Sequence, residues 1–195
     1  SRKTKEEVLV HLPPITEKTI SFQLSQEEKR VYKEVKEEMV VKILEEDLPV
    51  TNALVELLRL RQVCNGLFAF GSDAPSSKLS VLSDLLATFP SDSKVIIFSQ
   101  FKTSVDKICS ELPGACRIAG DVSGEDREKI ITQFKTDKTK KYLVMTSSGD
   151  RGLNLQEANY LVHFDLPYSI ASAEQRIGRI FRTGQKQHTH VYTLE

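Results

Sequence analysis

The chain carries no net charge: Lys+Arg and Asp+Glu stand at 27 each in 195 residues. A nucleic-acid role must therefore rest on local charge and not on overall basicity. No run of about 18 apolar residues exists, which excludes a membrane-spanning helix. The start, Ser1-Arg2-Lys3-Thr4-Lys5, leads into a charged segment, unlike a signal peptide. The three cysteines, Cys64, Cys109 and Cys116, form no Cys-x-x-Cys pair. That argues against a zinc site and for reduced, partly buried thiols in an intracellular protein. Repeats and low-complexity tracts are absent. So is Gly-x-x-x-x-Gly-Lys-Ser/Thr: Gly71 is followed by Ser72, and the chain has no phosphate-cradling loop of its own. No Asp-Glu pair follows an apolar strand to hold magnesium. His188 and His190 alternate along a strand, but two ligands do not complete a metal site, and none is expected.

What is present falls into two parts. Ser25-Gln26-Glu27-Glu28 is a helix cap followed by acids. A charged helix is predicted through Tyr32, Val35, Met39 and Ile43 to about Asp47. A more apolar helix follows from Ala53 to Leu60, and a third from Leu79 to Leu86. From Lys94 onward short apolar runs alternate with amphipathic stretches. "KVIIF", "CRIAG", "YLVMT", "YLVHF" and "HVYTL" read as strands, with helices over Ser104–Leu112 and Asp126–Phe134. Such alternation implies an α/β fold with a parallel sheet covered by helices on both faces, preceded by a mainly helical segment. The expected division is a helical connecting segment over 1–92, packed on the lobe, and an α/β domain over 93–195. Ligands of such sheets sit at the carboxyl ends of the strands, so the loops after Phe98, Gly120, Thr146 and Phe164 are the places to look.

The most informative segment is "AEQRIGRIFRTGQKQH". On a continuous helix Gln175, Arg179 and Arg182 share one stripe, and Ile170, Ala173, Ile177 and Ile180 share the opposite, sheet-facing side. Arg176 falls about a quarter-turn from the arginine stripe. No Asp or Glu occurs from Gln175 to Leu194, which leaves the arginines without a local carboxylate. Two guanidiniums placed together suit an intervening phosphate; a solvated basic face is the plainer alternative. In "TSSGDRGLNLQ", Gly149 and Gly152 permit close approach to a ligand, and Asp150 can accept hydrogen bonds from a sugar hydroxyl, although such loops are often only turns. In "FSQF", Ser99 and Gln100 lie at a strand's carboxyl end beside a helix start that can hold a phosphate, or simply cap the helix. His163, inside "YLVHFD", reads as a packed strand residue and not a base.

Taken in order, these segments resemble the Snf-type (Swi/Snf-like) ATPases of the large helicase superfamily. "RKTKEEVLVHLPP", "LSQEEKRVYKEV", "LLRLRQVCN" and "SKL" look like the connection between the two motor lobes. "VIIFSQF", "GDVSGEDREKIITQF", "VMTSSGDRGLNLQEANYLVHFD" and "EQRIGRIFRTGQ" look like successive helicase motifs of the second RecA-like lobe. The resemblance implies that ATP binds between two lobes. The first lobe would supply the phosphate loop and the Mg site. The second would supply arginine fingers, matching Arg179 and Arg182, with Gln175 beside them and Gly149, Asp150 and Gly152 near the nucleotide. It also implies that Ser99, Gln100, Arg127 and Thr146 touch DNA phosphates, with a double-stranded DNA backbone and the first lobe of the same polypeptide as partners and no membrane. On this expectation the chain is part of a longer protein and does not hydrolyse ATP alone, and replacing Arg176 costs ATP turnover much less than replacing Arg179 or Arg182. A lobe of a strand-separating DNA or RNA helicase and a non-catalytic binding module are the alternatives. Gly178 stands where many members have Asp or Glu, and Tyr168-Ser169-Ile170 where many have Trp-Asn-Pro. These departures limit how far the family's roles carry over, while "GDRGLNLQ" and "EQRIGRIFRTGQ" look closer to bacterial or viral members and point to a cytoplasmic setting more than a nuclear one.

Overall fold

A computed structural model of the chain describes residues 12–45, 50–147 and 152–195. It divides into two compact units, one comprising the chain up to Ile20 together with Phe89–Glu195, the other Ser21–Thr88.

The second unit is helical. It holds helices α1 (Gln26–Glu45), α2 (Val50–Asn65) and α3 (Ser77–Ala87), with a 3₁₀ turn at Leu67–Phe70 and a loop between α2 and α3. The start of α1 is the capping box that its sequence predicts: Glu28 N donates to Ser25 Oγ at 3.2 Å, and Ser25 N donates back to Glu28 Oε2 at 2.8 Å. Glu28 does more than cap its own helix. Its carboxylate, fully buried, also accepts from Ser77 N at 3.1 Å and Ser77 Oγ at 2.6 Å. One side chain thus satisfies the exposed amide ends of two helices. Ser76 caps α3 and ties back to the end of α2 by donating to Asn65 O at 2.7 Å.

The first unit is built on six parallel strands: β1 (Ile15–Ile20), β2 (Val95–Phe98), β3 (Cys116–Ile118), β4 (Tyr142–Met145), β5 (Tyr160–His163) and β6 (Thr189–Leu194), in the order β1-β6-β5-β2-β4-β3. Helices α4 (Lys102–Glu111), α5 (Gly124–Thr136) and α6 (Ile170–Ile177) lie between strands. Every residue of β2 and β5 is buried. Successive strand residues point to opposite faces, so both faces of the sheet centre are covered, as unbroken apolar runs require. The core gathers Ile96, Phe98, Ile118, Phe134, Leu143, Met145, Leu161 and Ile180 among others. Lys94, just before β2, donates from Nζ to the carbonyls of Phe134, Asp137 and Lys140, which closes the carboxyl end of α5. Burial lifts the Cys109 thiol to about 11 and raises that of Cys116, so neither is an activated nucleophile.

The parallel α/β sheet is the expected one. Strand β1 was not anticipated: it pairs in register with β6, from Ile15 opposite Thr189 to Ile20 opposite Leu194, and forms a sheet edge. Three of its residues are exposed, so its sequence shows no apolar run. Replacing Glu28 by Ala should strip two helix starts of their acceptor. The expected loss is about 1–3 kcal/mol, read as a lower urea midpoint; an unchanged midpoint would show that water satisfies these amides equally well.

Candidate nucleotide and nucleic-acid site

All the site residues below lie in the sheet unit, where the carboxyl ends of β2, β4 and β5 converge on one side chain, Arg176. It is only 1% exposed, the largest fully buried side chain described. Its Nη2 donates to Ser147 Oγ at 2.7 Å, just past β4. Its Nη1 lies 3.4 Å from His163 Nδ1, and its guanidinium sits 5.0 Å from the centre of the Phe98 ring. Arginine can only donate, so Nδ1 accepts and the His163 proton sits on Nε2. Burial, with a lesser push from Arg176, lowers the His163 pKa to about 3. The ring is a neutral packed residue and no base at ordinary pH, which agrees with the sequence reading.

Arg176 corrects the helical wheel. Helix α6 ends at Ile177, with Gly178 as its C-cap. Beyond it the chain tightens to bonds three residues back, Arg179 N to Arg176 O at 3.1 Å and Ile180 N to Ile177 O at 3.0 Å. A tighter turn advances more than 100° per residue, so the stripe drawn for a continuous helix does not hold. Ile170, expected to face the sheet, is 82% exposed, and Arg176, drawn only a quarter-turn from the arginine stripe, is the buried member of α6.

The segment after Gly178 is fixed by its backbone. Arg179 O accepts from Leu155 N at 3.0 Å, and Ile180 is fully buried in the core. Gln156 Nε2 donates to the carbonyls of Arg182 and Thr183. Gln185, which the sequence reading missed, is buried and saturated. Its Nε2 reaches the carbonyls of Gln156, Ala158 and Ile180 at 3.2, 3.1 and 3.1 Å, and its Oε1 accepts from Lys186 N and Gln187 N. The signal was the turn Thr183-Gly184: Gly184 has φ +103°, and a Cβ there would meet the Gln156 side chain at 2.9 Å. Against this rigid frame Gln175 and Arg182 are exposed and Arg179 is half-buried. Among the described residues neither Arg179 nor Arg182 makes an ion pair, and Arg179 Nε is buried with no hydrogen-bond partner.

Gly152 takes the left-handed conformation, φ +73°, that suits glycine; Gly149 and Asp150 lie outside the described residues. Of the four residues expected at phosphates, Gln100 and Thr146 line a cleft of about 410 Å³ with Lys102, Asp121, Ser147 and Tyr168. Ser99 does not line it: its side chain is fully buried, and its hydroxyl donates to Asp165. Asp165 also accepts from Gln100 N at 2.7 Å, so this carboxylate shapes the turn between β2 and α4. Thr146 is itself largely buried, 7% exposed. Arg127 stands at the start of α5, outside this cleft, with Nε buried and unpartnered among the described residues. Lys102 was missed because one lysine after "FSQF" carries no pattern of its own.

Comparison with known proteins gives the setting. The model of the helicase conserved C-terminal domain matches residues 77–184. A probable chromatin-remodeling complex ATPase chain of rice is 29% identical over 98% of this chain and 19% of its own length. The human SWI/SNF-related matrix-associated actin-dependent regulator of chromatin subfamily A member 1 is 29% identical over 99% of this chain and 20% of its own. The chain thus spans about a fifth of the curated relatives it matches. The Sulfolobus solfataricus SWI2/SNF2 ATPase core in complex with dsDNA superposes with a TM-score of 0.77 at 23% identity, over 98% of this chain and 43% of that one. The eukaryotic chromatin-remodelling relatives overturn the cytoplasmic, bacterial or viral setting expected above. That reading rested on two short motif segments, too little sequence to carry a cellular setting.

Two measurements check this description. The native His163 ring stays neutral while an unfolded chain takes up its proton near 6.5. The stability this contributes is therefore fully present above about pH 6.5 and is lost as pH falls towards 3. A proton NMR titration of the native protein should show no inflection for this ring between pH 8 and 5 (roughly the range an ordinary histidine spans); one near 6.5 would contradict the burial. Arg176→Ala should cost on the order of 3 kcal/mol in urea unfolding, whereas Arg182→Ala, at an exposed position, should stay within about 0.5 kcal/mol.

Proposed function

The chain belongs to the helicase conserved C-terminal domain family, as a Snf-type second lobe, and from that premise we propose that it is the second motor lobe of an ATP-driven translocase on double-stranded DNA. The observation that carries the reading is the segment from Gly178 to Gln185. Its backbone is pinned on both sides, and among the described residues neither of its guanidiniums, those of half-buried Arg179 and exposed Arg182, has a carboxylate partner. A structural arginine would be expected to have found an acid; a finger must keep its donors for a ligand. Guanidiniums held in this way stabilise negative charge on a transferring phosphoryl group, and their fixed frame means that little reorganisation is needed at the moment of reaction.

In this reading Arg179 and Arg182 act on ATP held by a first lobe of the same polypeptide, with Gln175 beside them. Gly149 and Gly152 let the backbone approach the nucleotide, and Asp150 accepts from the ribose. Magnesium belongs on the other lobe. The carboxylates described at this sheet edge are already committed, Asp121 to Arg117 and Lys102, and Asp165 to Ser99 and Gln100. Alone, the chain does not turn ATP over. The cleft containing Gln100, Lys102 and Thr146 meets the DNA backbone without regard to sequence. Ser99 supports that contact through Asp165, and Arg127 offers its guanidinium from the start of α5. Double-stranded DNA is favoured over single strands by the dsDNA-bound Sulfolobus core and by the chromatin-remodelling relatives. A strand-separating helicase remains the second reading, and a strand-displacement assay on the full-length protein distinguishes it. A binding module without catalysis would not need two arginines on a pinned turn with no ion pair among the described residues.

In the full-length protein, Arg179→Ala and Arg182→Ala should each lower DNA-stimulated ATP turnover by about a thousand-fold while leaving salt-dependent DNA binding near that of the parent. Lysine at either position should rescue little, because an ammonium cannot form the planar fork. Near-normal turnover with lost DNA binding would instead make the segment a DNA-contacting face.

A further inference from the structure

Among the described residues the cleft at the carboxyl edge is lined by one cation, Lys102, and that cation is already engaged. Lys102 Nζ lies 2.8 Å from Asp121 Oδ2. Asp121 also receives a fork from Arg117, Nη1 to Oδ1 and Nη2 to Oδ2 at 3.0 Å each, and Arg117 Nε is 2.5 Å from Asp106. Two cations and two anions therefore sum to zero at the rim of the site assigned above to a polyanion. The remaining polar groups of the cleft, from Gln100, Thr146, Ser147 and Tyr168, are neutral. Arg117 first, and Lys102 after it, hold the Asp121 carboxyl well below the usual range, so it stays ionised at any pH at which the protein works.

We propose that Asp121 is an affinity-limiting residue, a carboxylate that occupies Lys102 in the empty cleft and must yield it, at the cost of a nearby negative charge, when a phosphate enters. The inference rests on the reading of the cleft as a nucleic-acid backbone site and adds to it a built-in restraint on affinity. Its chemistry is simple competition. A phosphate oxygen and a carboxylate oxygen seek the same ammonium, and the carboxylate is attached. Lys102 and Asp121 are both solvent-accessible, with side chains 57% and 44% exposed, so the exchange needs no unfolding and its energy is screened. Arg117 is not released in the same way, because it keeps Asp106. A lobe that must let go of the backbone at every step is served by a contact of this kind, strong enough to guide and too weak to hold.

The test uses the full-length polypeptide without nucleotide and a fluorescent random-sequence DNA duplex titrated at several salt concentrations. Asp121→Asn keeps the shape and removes the charge. It should tighten binding roughly three- to tenfold at low salt and steepen the dependence of log K on log salt by about one. Lys102→Ala should weaken binding. Asp121→Asn added to Lys102→Ala should produce no gain, since the gain passes through that ammonium. Weakening by Lys102→Ala with no gain from Asp121→Asn overturns the restraint and leaves the cleft assignment standing. A gain that persists without Lys102 assigns the effect to Arg117 and overturns the proposal as stated. If neither single change alters binding, the cleft is not a nucleic-acid site, and the proposal falls with it.

Discussion

A guanidinium buried beneath the ends of three strands must be satisfied where it lies, and at Arg176 that requirement organises the functional edge. Burying a charge costs several kcal/mol unless hydrogen bonds and polarisable neighbours replace the lost water. Here the neighbours are one group from each strand end, namely the Phe98 ring of β2, the Ser147 hydroxyl after β4 and the His163 ring of β5. Because these three come from the centre of a rigid parallel sheet, the position of α6 is set by the sheet. The turn that follows α6 inherits that position.

The same economy recurs around the edge. Two connections are held by polar side chains that bind main-chain groups: Asp165 for the turn after β2, and Gln156 with Gln185 for the segment between α6 and β6. Loops fixed by side-chain-to-backbone bonds leave other side chains unencumbered. Arg179 and Arg182 can therefore be held in place with no ion pair among the described residues, a condition under which charge is stabilised without reorganisation. Gln100 is tied through its amide to Leu166 O, so it too is placed before any ligand arrives.

The parallel sheet, its strand positions and the capped start of α1 were legible because they depend on local patterns: unbroken apolar runs, alternation with helices, and a serine three residues before a glutamate. Strand β1 was not, because an edge strand half in solvent shows no apolar run and its pairing with β6 is a contact between distant parts of the chain. The arginine-bearing segment was found by its composition and by family resemblance. Its geometry was misdrawn because a helical wheel presumes that the helix continues past Gly178. The burial of Arg176 was not legible either: nothing in the residues around it says that Phe98, Ser147 and His163 will meet there. Ser99 and Lys102 show the limit at side-chain scale. A serine at a strand end is equally suited to a ligand or to an internal carboxylate, and only the position of Asp165 decides.

The central claim is that this lobe contributes to ATP hydrolysis only by presenting charge to a nucleotide held elsewhere. The most direct measurement is steady-state ATP turnover by the purified 195-residue chain, with and without saturating duplex DNA, beside the full-length protein. The proposed reading predicts no DNA-stimulated turnover by the chain alone, since proximity to a phosphate loop that it lacks supplies much of the rate. Robust, DNA-stimulated hydrolysis by the isolated chain, abolished by Arg182→Ala, would contradict that claim and place the whole reaction within this single lobe.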